Sequence, residues 1–354
     1  LREADPTQVD EALAQAKQQL TAEQKQAQGN SLGQLFDRQI VTLQERGVPE
    51  QIVEILRSQK PAVVEKASAV GLRQLPYPEE YGGGGADVLT SCLAGEELAV
   101  GDLGSAVNLD QTWKLAHILD HMDPSLKDTW LRRLCAGPRF LTAICITEPG
   151  CGSDHQGLYD DPSIALYTRA ERRNGKWVIN GMKHYISNGP VASLYVVAAR
   201  TDKAKKLREG LTGFLVPRDT PGLSIGKVHE KIGQRLSMNS ELIFRDVEVP
   251  DSHVILGVGK MFEVRGRLLA CGKPEAAANC VGVGRAAFEK ALAHARERVQ
   301  GGKPIVEHQA VATMLADMAT NLDIARTMVW RCAWAVNHQN PYDFFFRAAQ
   351  RHLY

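Results

Sequence analysis

Residues 145–157 read CITEPGCGSDHQG. Pro149, Gly150 and Gly152 make a turn, flanked by the hydroxyls of Thr147 and Ser153 and the carboxylates of Glu148 and Asp154. Backbone N–H groups freed at the glycines, together with the two hydroxyls, form a concave donor surface suited to a pyrophosphate or a ring carbonyl. Carboxylates pointing into that surface would repel a phosphate. Glu148 and Asp154 are therefore expected to brace the loop by accepting backbone N–H bonds. On spacing alone, an ornate turn and a ligand loop both remain open.

The loop lies where the texture of the chain changes. From residue 8 to about 140 the apolar residues recur at helical intervals, as in LGQLFDRQIVTLQERG and PEQIVEILRSQKPAVVEKASAVG. From 141 to 250 the runs are short, β-branched or aromatic, as in SLYVVAAR, TGFLVP and SELIFRDVEVP, with turn residues between them. Asn174-Gly175 and Asn180-Gly181 predict two hairpin turns. After Pro250 helices return, with Pro274 read as a first-turn residue and small side chains along one face for close packing. The fold class is α+β: an N-terminal helical domain (1–140), a middle antiparallel β-domain (141–250) and a C-terminal helical bundle (251–354). The final FFFRAAQRHLY stops in mid-pattern without a cap, and the reading expects part of the C-terminal bundle to be missing.

Composition narrows the function classes. Among 354 residues the net charge is +1 and no block of five like charges occurs, which excludes a dedicated nucleic-acid surface. Seven scattered cysteines without a CxxC pair disfavour structural zinc and a disulfide framework and fit a reducing compartment. No apolar run reaches the ~18 residues of a membrane span, and the N-terminus is too acidic and polar for a targeting peptide, so a cytoplasmic protein is expected. Gly82 to Gly85 lack the Lys-Ser/Thr of a phosphate loop and read as a flexible turn. His117 and His121 stand four apart on a helical stretch without a convincing third ligand, so they read as a solvated face and no metal site is expected. The adjacent Glu79 and Glu80 diverge in direction and are not read as an acid–base pair.

A second stretch, NGMKHYISNG, places Tyr185 two residues before Ser187 on an apparent strand, where both would face one side. An aromatic plate beside a hydroxyl suits a flat heteroaromatic ring, although a routine cross-strand pair has the same pattern.

CITEPGCGSDHQG, NGKWVINGMKHYISNG, TGFLVPRDTPGLSIG, KIGQRLSMNSELIFRDVEVP and RERVQGGKPIVEHQAV, in that order, resemble the acyl-CoA dehydrogenases. GLRQLPYPEEYGG resembles that family's N-terminal helix-to-loop signature, and the resemblance runs from about Gly71 to Trp334. It implies FAD and a homo-oligomer, a tetramer in the family. It also implies an acyl-CoA substrate, a matrix location in a eukaryote, and an electron-transfer flavoprotein or similar acceptor. Ile144, Ile146, Thr147, Gly152 and Ser153 would line the cofactor, with Ser153 also near the thioester substrate. Tyr185 would stand in the place of a shielding tryptophan, with Ile186 and Ser187 at the ring. Arg298, Gln300, His308 and Gln309 match a segment that reaches FAD bound mainly by a neighbouring subunit. Arginine suits a pyrophosphate because its guanidinium is planar, bidentate and always charged.

The resemblance implies α-proton removal by a glutamate and hydride transfer from the β-carbon to flavin N5. In most members that glutamate would follow Tyr354; in a minority it would fall on Gly272, which cannot be a base, and Glu275 is out of register. Cys151 replaces a small residue, Gly301 an aromatic one, and Ala270 and Lys273 an Asp/Arg pair that helps hold substrate. These departures keep open a same-fold flavoenzyme of different chemistry (an oxidase, a desulfinase-like enzyme or a monooxygenase) and a binding protein without a base.

Overall fold

A computed structural model describes residues 62–156, 163 and 166–338. The helical readings before residue 62 and the FFFRAAQRHLY terminus lie outside the described residues. The chain divides into two compact units, Leu1–Val70 and Gly71–Tyr354. Helix α1 (Ala62–Ala69) belongs to the first.

Helices α2 (Val88–Gly101), α3 (Leu103–Trp113) and α4 (Pro124–Ala136) lead to the sheet. Each begins at an aspartate whose carboxylate accepts a first-turn amide: Asp87 from Thr90, Asp102 from Ser105, Asp123 from Leu126. That capping satisfies donors a helix leaves orphaned. The tetraglycine before α2 is not a flexible turn. Gly85 donates to the Tyr77 carbonyl at 2.9 Å, and a Cβ on Gly83 would lie 2.0 Å from that same oxygen. Glycine is required there by close packing.

Eight strands form one sheet: β1 (Thr142–Cys145), β2 (Arg169–Arg173), β3 (Lys176–Ser187), β4 (Leu194–Arg200), β5 (Leu211–Pro217), β6 (Leu223–Val228), β7 (Asn239–Pro250) and β8 (Val254–Ile255). The order is β6-β7-β3-β2-β4-β5-β8, with β1 on β4. Most pairs are antiparallel, but β1 and β2 both run parallel to β4, so the sheet is mixed. Asn174 and Gly175, at φ 51° and 76°, turn β2 into β3 as expected. Asn180-Gly181 is not a turn. It lies inside β3 at a register shift, where a Cβ on Gly181 (φ 146°) would sit 2.6 Å from the Thr168 Cα. Asn180 and Asp246 exchange hydrogen bonds across this bulge. An Asn-Gly pair signals positive φ, and a bulge uses that freedom as readily as a hairpin.

Helix α5 (Leu207–Gly210) is a single turn. Helix α6 runs from Met261 to Glu297, so Pro274 is an interior residue and not a first-turn one. A proline inside a helix forfeits one backbone bond and weighs about 3 kcal/mol against it. Burial of both flanks of Pro274 against α2 and α3 outweighs that penalty. The small residues of α6 do permit close approach: a Cβ on Gly282 would meet the Glu96 carbonyl at 2.3 Å. Helix α7 (Gln309–His338) completes the bundle against α2 and α6. An apolar core joins the 3-10 segment Lys114–His121, α4, the start of α6 and one sheet face, through Leu115, Leu131, Leu134, Val196, Val264 and Leu268. A second core lies within the sheet around Ile179, Tyr195 and Phe214.

Candidate cofactor site

Strand β1 delivers the 145–156 loop to the edge of β3. His184 donates its amide to the Thr147 carbonyl at 2.9 Å, and the Thr147 hydroxyl donates to the His184 carbonyl at 2.5 Å. This reciprocal pair sets Ile144, Ile146 and Thr147 beside the strand that carries Tyr185, Ile186 and Ser187. It also commits the Thr147 hydroxyl proton within the protein, leaving Thr147 an acceptor towards any ligand.

The loop closes on itself through Glu148 and Cys151, whose amides and carbonyls exchange two bonds of 3.1 Å. Glu148 turns inward and accepts from the amides of Tyr167 at 2.5 Å and Thr168 at 3.0 Å. Its bracing role follows the sequence reading. The fourth participant does not: Lys183, with its side chain fully buried, donates to Glu148 Oε1 at 2.8 Å and to the Ile146 carbonyl at 3.0 Å. Burial disfavours the Glu148 charge, but Lys183 and the donors around it outweigh that, and the carboxyl titrates below its ordinary range. Asp154 is exposed on the short turn Ser153–Gln156. His155 is buried there with Nδ1 on the Gly152 carbonyl, and burial lowers its pKa.

What faces outward is polar or open. Ser153 is exposed, and nothing lies within 4 Å of where a Cβ on Gly152 would sit. Tyr185 is 63% exposed with φ 60°, inside a second irregularity of β3 between Lys183 and Ile186. The two-residue alternation that would place Tyr185 and Ser187 on one face therefore does not carry across this bulge. Ile186 is buried, and Ser187 is half-buried with its Oγ 3.5 Å from Asn239 Nδ2. An exposed aromatic ring on β3, with an open glycine and an exposed hydroxyl on the loop bonded to that strand, fits a flat cofactor with a phosphate tail.

The remaining expected residues stand apart from this loop within one chain. Arg298 caps the end of α6 and Gln300 lies in β9 (Val299–Gln300), which pairs with β10 (Lys303–Pro304) across Gly301 and Gly302. Both glycines have positive φ, 61° and 81°, a backbone region that favours glycine. His308 Nε2 lies 2.9 Å from the Gln300 carbonyl, and Gln309 opens α7 in an exposed position. Lys273 is half-buried on α6, its pKa lowered by burial and by Arg265.

Two histidines read as a solvated face are not one. The segment Lys114–His121 is a 3-10 helix, whose three-residue turn separates positions four apart by about 120°. His117 is half-buried overall, with its side chain only 8% exposed and 2.9 Å from Glu275. Sequence reasoning also passed over Arg265, which is 4% exposed on α6, with Nε and Nη2 finding no acceptor. The signal for both was weak: a charge amid an apolar helical pattern reads equally as a boundary residue.

The model of the acyl-CoA dehydrogenase N-terminal domain matches residues 34–138, that of the middle domain 143–247 and that of the C-terminal domain 262–349. An acyl-CoA dehydrogenase of Megasphaera elsdenii, described as short-chain specific, is 33% identical over 82% of this chain and 74% of its own. The chain belongs to the acyl-CoA dehydrogenase family. Cyclohex-1-ene-1-carbonyl-CoA dehydrogenase of Syntrophus aciditrophicus is 38% identical over 73% of this chain, which spans 61% of that relative's length. The solved structure of butyryl-CoA dehydrogenase from Megasphaera elsdenii superposes with a TM-score of 0.74 at 33% identity, covering 81% of this chain and 74% of that one. A C-terminal domain is thus represented in the chain, within the region expected to be cut short. No helix among the described residues is long and apolar enough to cross a membrane.

Proposed function

We propose that the protein is an FAD-dependent acyl-CoA dehydrogenase that introduces an α,β double bond into an acyl-CoA thioester. The observation that carries this is the reciprocal Thr147–His184 bonding, which fixes the family's loop beside Tyr185. A bound FAD would supply hydride acceptance from the substrate β-carbon.

The chain's own residues bind and orient. Tyr185 would cover one face of the ring of a bound FAD, and Ser187 and the main chain from Ile144 to Thr147 would line its edge. Ser153, which is exposed, and the open backbone at Gly152 would hold the pyrophosphate and the thioester. Arg298, Gln300, His308 and Gln309 serve the cofactor of a neighbouring subunit, so the assembly is a homo-oligomer, in this reading a tetramer. Glu275 does not serve as the α-proton base, because it is buried and bonded to His117. Lys273 assists the acyl-CoA, and an electron-transfer flavoprotein or similar acceptor takes the electrons in the cytoplasm.

The purified protein should be yellow, with bands near ~370 and ~450 nm. Anaerobic addition of butyryl-CoA or cyclohex-1-ene-1-carbonyl-CoA should bleach the longer-wavelength band. A colourless protein that cannot be reconstituted with FAD would refute the reading. Rapid peroxide formation in air would instead favour the oxidase chemistry.

A further inference from the structure

Strand β7 carries Glu241 between two neighbours, and the ladders on both sides are irregular at its level. The β3–β7 register shifts between Lys183 and Ile186, and the β6–β7 register shifts between Ile225 and Val228. Bulges re-aim side chains. Here they bring His184, from the first irregularity, and His229, just past β6, to the same place as Glu241. Their potential ligand atoms all lie within 4.8 Å of one another, and all three residues are half-buried.

The carboxylate is preset. A Cβ on Gly226 would lie 2.7 Å from Glu241 Oε2, so only glycine leaves room for it. That oxygen accepts the Lys227 amide at 2.9 Å, and Oε1 is left 3.7 Å from His184 Nδ1, too long for a hydrogen bond. The imidazoles are unsatisfied. Both ring nitrogens of His184 and Nε2 of His229 are buried without a partner. The two rings stack at 4.8 Å, and Tyr185 packs on both, at 4.0 and 4.9 Å between centroids. Buried polar atoms ordinarily find partners, and three in one cluster facing a carboxylate call for a ligand.

We propose that His184, His229 and Glu241 bind one divalent transition-metal ion of the zinc class, beside Tyr185. Two neutral imidazoles and one carboxylate select Zn²⁺, Co²⁺ or Ni²⁺ over Mg²⁺ or Ca²⁺, and three protein ligands leave a coordination position open. Ligand bonds of about 2.0–2.2 Å require the three donors to draw together by roughly an ångström, within the reach of side-chain rotation. The site departs from the sequence expectation of no metal, because its ligands are 184, 229 and 241 and share no local motif.

The test uses the purified flavin-loaded protein after treatment with EDTA. Calorimetric titration with Zn²⁺ should give one ion per chain, Co²⁺ should develop visible ligand-field absorption, and Mg²⁺ should give neither. His229→Ala and Glu241→Gln, each checked for an unchanged melting temperature without metal, should weaken Zn²⁺ binding by roughly tenfold or more. His229 lies outside the strands, so its replacement leaves the sheet ladder in place. Absence of saturable Zn²⁺ binding, or unchanged affinity in both variants, overturns the proposal. Neither readout depends on substrate turnover.

Discussion

Lys183 Nζ lies 2.8 Å from Glu148 Oε1, with both side chains essentially without solvent contact, and this pair joins the middle of β3 to the cofactor loop. The same ammonium reaches the Ile146 carbonyl, and the same carboxylate holds two amides at the entry to β2. One buried ion pair therefore organises three segments that are far apart in sequence.

Removing one partner should be much worse than removing both. Glu148→Gln leaves a buried ammonium without its counter-charge and should lower stability by about 3–5 kcal/mol, whereas Glu148→Gln combined with Lys183→Met should recover part of that loss. Urea denaturation of the three variants measures it. Because the Glu148 carboxyl titrates below its ordinary value of 4.5, its contribution is present above that pH and is lost as pH falls further.

Glu96 on α2 accepts from Arg326 at 2.9 Å and Arg285 at 3.0 Å, fastening α2 to both α6 and α7. Glu96→Gln should cost about 3 kcal/mol, because the carboxylate is buried and serves two guanidinium groups. Glu97→Gln, which removes an exposed partner of Arg285, should cost less than about 1 kcal/mol. Thermal melts of the two variants side by side distinguish a structural clamp from a surface pair.

The buried His117–Glu275 contact makes stability pH-dependent in the alkaline range. Burial alone would lower the His117 pKa, but Glu275 outweighs it and raises the value from 6.5 to about 10; burial raises that of Glu275. The His117 shift makes the folded state hold a proton that the unfolded chain releases, so this contribution is full below pH 6.5 and is lost as pH rises towards about 10. The wild-type melting temperature should fall across that window more steeply than that of His117→Gln.

Arg265 is a buried cation whose pKa is lowered by desolvation to about 10 and whose guanidinium lies over the Phe262 ring, 5.2 Å from its centroid. Arg265→Met keeps the volume and removes the desolvated charge. It should leave stability unchanged or raise it by about 1 kcal/mol. A loss of several kcal/mol in a chemical melt would show that the guanidinium has an anionic partner in solution.

Much of this molecule is legible in the chain as written. Helical periodicity before 141 and after 250, strand-like runs between, the Asn174-Gly175 hairpin and the bracing carboxylate of Glu148 all depend on local pattern and local hydrogen-bonding chemistry, which the sequence carries directly. The order of five motifs identified the family for the same reason.

Tertiary structure decided what local pattern could not. Asn180-Gly181 became a bulge and not a turn because β7 pairs along the whole of β3 and Thr168 presses on Gly181. Pro274 sits inside α6 because burial on both flanks outweighs one missing backbone bond. The irregularity between Lys183 and Ile186 adds a residue to β3, so alternation counted along β3 does not carry past Lys183. Alternation from Trp177 and Ile179 places Lys183 inward, but that its partner is Glu148, and that His184 meets His229 and Glu241, is fixed by the pairing of distant segments, which is a property of the folded sheet alone.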